Sequence, residues 1–163
     1  MMKKLLWLAG LLGLFYGHAW WTLSEQRAQR WIEQHELAVL EQKEGVCKDF
    51  TFDTEVSVRA VHAKGEWQLD GGRDHVCSYI KSSNAFVRVL KPQLSTQTEV
   101  LSFERSGFPW MSATAKVQQT TTFTLVNGLS MTEQGEATYV LRRGLGGMQI
   151  AGLTLRSEGN FPR

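Results

Sequence analysis

Residues 24–44, SEQRAQRWIEQHELAVLEQKE, contain neither Gly nor Pro, and Ala28, Trp31, Ile32, His35 and Val39 recur at helical spacing. The pattern predicts an amphipathic helix that stops near Gly45, with Thr22 and Glu25 at the spacing of a capping box. Residues 54–62, TEVSVRAVH, switch to a period of two: Val56, Val58 and Ala60 oppose Glu55, Ser57 and Arg59, as in a strand with one buried face. GEWQLDGGRD then reads as a turn, its Gly71 and Gly72 breaking regular structure. From Asp74, a residue suited to cap a helix, HVCSYIKSSNAFVRVL sets Val76, Tyr79 and Ile80 inward, while the Ser82, Ser83, Asn84 run weakens its second half.

The remainder is Thr- and Val-rich and mostly alternating over 97–105, 111–126, 130–143 and 147–157. Ala113, Ala115, Val117, Gln119, Thr121 and Phe123 fall on one side of the second of these segments. Asn127 and Gly128 are a hairpin signal between two strands, and Gly144–Gly147 makes the next turn. That turn is no phosphate loop, because a strand follows it and no Lys completes the motif. The chain is predicted to be an α+β fold: N-terminal helices packed on a curved antiparallel sheet of about four to six strands, in one domain over residues 24–163.

The N-terminus follows neither period. Lys3 and Lys4 precede an uncharged run, Leu5 to Tyr16, the pattern of an export signal. Gly17 and Ala19 are small enough for cleavage after Ala19, which would release a soluble periplasmic or secreted domain. Trp20 and Trp21 fit a peptidase poorly, however. Extending the run through Leu23 gives a length near the roughly twenty residues that span a bilayer. Residues 1–23 are therefore expected to be an uncleaved inner-membrane anchor, with membrane contact through residues 5–23 and the domain facing the periplasm.

Charge excludes one class of partner. Without Lys3 and Lys4, the 18 basic residues become 16, equal to the acidic ones, and the pair Arg142, Arg143 is too small a basic patch for nucleic acid. Cys47 and Cys77, an even pair in an exported chain, read as a disulfide closing a loop of about thirty residues, worth about 3 kcal/mol. Asp74 and His75 beside Cys77 point in different directions on a helix, so no metal site is expected, and no cofactor motif is present. His35, on the apolar stripe, reads as a hydrogen-bonded, partly buried imidazole. In RSGFPW, residues 105–110, Trp110 either enters the core or, with Phe108, forms an aromatic loop at a pocket mouth or partner surface.

The run CKDFTFDTEVSVRAVHAKGEWQLDGGRDHVCSYI resembles the opening of nuclear transport factor 2-like domains, and GEATYVLRRGLGGMQIAGLTLRSEG is similar to their closing hairpin. The resemblance covers about residues 24–158 and implies a cone, a curved sheet under helices. It admits ketosteroid isomerase-like proteins and dehydratases, whose pocket holds an acidic base. It also admits inert ligand binders and membrane-anchored periplasmic assembly components. An isomerase needs a carboxylate in an apolar pocket and an acid partner; Asp53 and Tyr139 are the candidates, and both also read as ordinary structural residues. The expectation is a membrane-anchored periplasmic binding or assembly module without catalytic activity, with a protein partner or a homodimer through the sheet. The alternative is a small-molecule enzyme or ligand carrier of the cone fold.

Overall fold

The computed structural model describes residues 2–160 apart from Gln42, 63–64, 91–92, Pro109, 125–127, Leu129 and 145–146. Helices α1 (Met2–Thr22) and α2 (Glu25–Leu40) lead into a single 3-10 turn, Val46–Asp49. Then come β1 (Phe50–His62), β2 (Gly65–Gly72), α3 (Arg73–Leu90), β3 (Gln93–Ser106), β4 (Ser112–Thr124), β5 (Ser130–Gly144) and β6 (Gly147–Asn160). One six-stranded sheet, ordered β2-β1-β6-β5-β4-β3, carries the helices. This is the α+β arrangement expected, with one parallel pair, β1 against β6, among antiparallel ones.

The second strand corrects the reading of GEWQLDGG as a turn. Trp67 and Leu69 face inward and pair with Ala60 and Val58, while Glu66, Gln68 and Asp70 are exposed, so the period of two outweighs the glycines that follow. Gly71 is needed where β2 enters α3, because a Cβ there would lie 2.8 Å from the His75 side chain. Asn127 lies outside the described residues, but the strands it separates pair from Thr124 and Ser130 onward, as a hairpin must. Residues 145–146 are likewise not described; Gly144 and Gly147 pair on either side of them.

The core lies between α2, α3 and the inner face of the sheet. Ala28 and Ile32 from α2 and Val76 from α3 meet Val56, Ala115, Val117, Tyr139, Leu141 and Ile150. Each fully buried large aliphatic side chain contributes roughly 1.5–3 kcal/mol, which fixes α2 across the sheet. Cys47 and Cys77 form a disulfide with Cα atoms 5.8 Å apart. It ties the 3-10 turn to α3.

The anchor expected over residues 1–23 falls on α1. Among the described residues no helix is long and apolar enough to cross a membrane. The end of α1 belongs to the domain: Ala19 and Leu23 have no exposed surface. The Arg105 guanidinium lies 3.9 Å over the Trp20 ring and its Nε donates to the Leu23 carbonyl at 2.6 Å. Thr22 does not cap α2. Its hydroxyl donates back to the His18 carbonyl at 2.9 Å, closing α1, and α2 starts after Ser24 with no side-chain cap.

Candidate ligand site on the concave face

The strand registers sort the concave face into rows. Val56, Leu153, Tyr139, Ala115 and Phe103 form one, and Val58, Leu155, Ala137, Val117 and Val100 the next. The following row changes character: Ala60, Ser157, Gly135, Gln119 and Thr98. Ser157, Gln119 and Thr98 are buried polar residues. Beyond it lie Glu133, Thr121 and Thr96, the two threonine hydroxyls 3.3 Å apart. An apolar floor thus ends in a polar belt, the composition of sites that hold small molecules by a few placed polar groups. Gly135 keeps the middle of the belt low. At Gly135 a Cβ would come within 2.9 Å of the Arg156 carbonyl, so strands β5 and β6 require glycine there.

Tyr139 crosses this boundary. Its body is in the floor and has no exposed surface. Its hydroxyl donates to Glu36 Oε1 on α2 and accepts from Gln119 Nε2 at 3.2 Å. Burial first, and then the Glu36 charge, push the Tyr139 phenol well above the ordinary tyrosine value, so it stays protonated. Glu36 is half-buried and Gln119 is buried. A half-buried carboxylate and a phenol fixed as its donor therefore stand together where the apolar core meets the polar belt. On the α3 side, burial and then the charge of Glu133 raise Tyr79, whose ring packs on Trp67 at 4.8 Å.

The buried imidazole of α2 is structural. His35 Nδ1 lies 2.8 Å from Asp49 Oδ2, and its ring is stacked on Trp31 and met edge-on by Phe50. This is the hydrogen-bonded imidazole that the stripe implies, and it locks α2 to the 3-10 turn.

Of the three residues singled out for a pocket, only Tyr139 lies on the concave face of the sheet, and it is buried there. Asp53 is exposed on the surface, paired with Arg142 Nη1 at 2.7 Å, and that hydrogen bond holds its carboxyl below the usual carboxylate range. A pocket base would be shifted the other way. Trp110 takes the aromatic-loop geometry at left-handed φ 50°, its ring against Tyr16 and Trp20 of α1. Glu36, Gln119 and Thr98 were not singled out. Glu36 lies one helical turn beyond Ile32, and Gln119 alternates with Val117, so both signals were in the spacing.

No protein-family model matches the chain, and no curated protein matches it in sequence. Solved structures do match. The beta subunit of benzoate 1,2-dioxygenase from Burkholderia mallei aligns at TM-score 0.63 and 9% identity, over 83% of this chain and 91% of that one. A scytalone dehydratase-type protein from Novosphingobium aromaticivorans aligns at 0.60 and 13%, over 83% and 87%. A nuclear transport factor 2-like protein with a cystatin-like fold, from the same organism, aligns at 0.59 and 17%, over 91% and 86%. The chain has the nuclear transport factor 2-like fold. An enzyme subunit and a dehydratase-type protein share it, and among the described residues no helix is long and apolar enough to cross a membrane. Together these overturn the expected membrane-anchored module without catalytic activity and favour the alternative.

Proposed function

We propose that the chain is a small-molecule enzyme of the cone fold, binding a largely apolar molecule at the polar belt and moving a proton on it. The observation that carries this reading is the buried Tyr139 hydroxyl, held between Glu36 and Gln119 where the apolar floor meets the belt. Glu36 is the acceptor: its carboxylate takes a proton from a carbon beside a carbonyl, and the C–H electron pair moves onto the carbonyl oxygen. Tyr139, kept protonated, is the donor that turns to that oxygen as charge develops. Returning the proton to another carbon gives an isomerisation; expelling a neighbouring hydroxyl as water gives a dehydration. The dehydratase-type protein of the same fold supports the second outcome as much as the first.

The test is deuterium uptake from heavy water beside the carbonyl of an apolar cyclic ketone, followed by NMR. Glu36→Gln keeps the acceptor for Tyr139 but removes the base, and a loss of about 100-fold or more is expected. Exchange that is equal in wild type and Glu36→Gln would sink the assignment.

Compartment and assembly belong to the same proposal. The Cys47–Cys77 disulfide suits an oxidising compartment, as a soluble exported domain would meet. On the outer face, Gln68, Arg59, Arg156, Glu136, Gln118 and Glu99 form a row of both signs beside a groove of about 990 Å³. Such a face can meet a second copy of itself, and a monomeric mass by light scattering would remove the dimer.

A further inference from the structure

Thr98 is 6% exposed, and its Oγ1 is buried with no hydrogen-bond partner among the described residues. Its backbone is otherwise: the Thr98 carbonyl accepts from Gln29 Nε2 of α2 at 2.8 Å. The side chain stands directly opposite Gln119 in the β3–β4 pairing, in the polar belt and next to the Gln119–Tyr139–Glu36 chain. Valine has the same shape and suits a strand equally well. A buried hydroxyl without a partner is a penalty to the folded state, so its presence calls for something that bonds it.

We infer that Thr98 Oγ1 is a ligand-recognising group that bonds a second oxygen of the bound molecule. This rests on the proposed reading of the concave face and adds the ligand class to it. The molecule is an uncharged, ring-like apolar body with two oxygen functions. One oxygen meets the Glu36–Tyr139 pair and the other meets Thr98. The body lies over the middle of the belt at Gly135, where the sheet carries no side chain. The competing explanation is that a buried water satisfies Thr98, and the two differ in what valine does.

Three fluorescent probes separate them: naphthalene, a naphthol, and the naphthalenediol with its second hydroxyl on the far ring. Wild type is expected to bind the diol about tenfold tighter than the naphthol, the scale of one good hydrogen bond. Thr98→Val should erase that gain, leave naphthol affinity unchanged, and hold or raise Tm by removing an unpaired hydroxyl. Thr98→Ser should restore the gain. A Thr98→Val protein that keeps the diol preference, or that melts lower with the preference intact, overturns the inference in favour of a structural water. If wild type binds none of the three probes, the ligand-site reading falls and the inference with it. If wild type binds the naphthol and Glu36→Gln weakens it, but the second hydroxyl adds nothing, only the inference falls.

Discussion

Tyr139 is the largest side chain with no exposed surface, and its hydroxyl is bonded on both sides. Tyr139→Phe keeps the ring in the floor and leaves Gln119 and Glu36 without their shared partner, so the variant should lose about 1–3 kcal/mol in urea unfolding. The sign of its pH dependence follows from the raised phenol. The folded state holds the proton to higher pH than the unfolded chain does, so its contribution is complete below the ordinary tyrosine value of 10.0 and lost as pH rises above it. Wild type should therefore lose stability on an alkaline limb that Tyr139→Phe lacks; identical limbs would refute the coupling. Asp53 gives the contrasting case. Asp53→Asn should leave probe binding unchanged, because the carboxylate is exposed beside Arg142. Alternation placed Gln119 on the apolar side from sequence alone. It could not place Asp53: the β1–β6 register shifts between Phe50 and Glu55, so a residue inside that irregularity has no face to inherit from its neighbours.

Among the elements, the 3-10 turn acts as a junction. Cys47 is bonded to α3, Asp49 to His35 of α2, and the Lys48 carbonyl accepts from Gln149 of β6 at 3.2 Å. Reducing the disulfide frees a closed loop worth about 3 kcal/mol, and Tm should fall by roughly 10 °C. A melting curve unchanged by dithiothreitol would show that the noncovalent ties suffice. For α2, Ile32→Ala should cost roughly 2–5 kcal/mol, since its side chain has no exposed surface. The helix stripe and the long strands were legible because period and burial agree in each; in α3 Val76 is buried as expected, but Tyr79, expected inward, is exposed. The second strand was hidden by its terminal glycines, and the capping box was lost because the Thr22 hydroxyl bonds back to the His18 carbonyl of α1.

At the scale of the molecule, the α+β cone could be read from element order, whereas the parallel β1–β6 pair could not. It joins the first strand to the last, and no local pattern encodes that meeting. The same holds for the polar belt: Ala60, Ser157, Gly135, Gln119 and Thr98 come from five strands spread from the first to the last, and only the register assembles them. The N-terminal segment shows the opposite limit. Its apolar run suggests a bilayer, but tertiary contacts at Ala19, Trp20 and Leu23 seat its end on the domain. The central claim is that the concave face is the ligand site. Amide chemical shifts of isotope-labelled protein titrated with the naphthol test it most directly. The account predicts shifts gathered at Glu36, Thr98, Gln119 and Tyr139 and their neighbours; shifts confined to the outer face around Arg59, Glu136 and Arg156, or to α1, would contradict it.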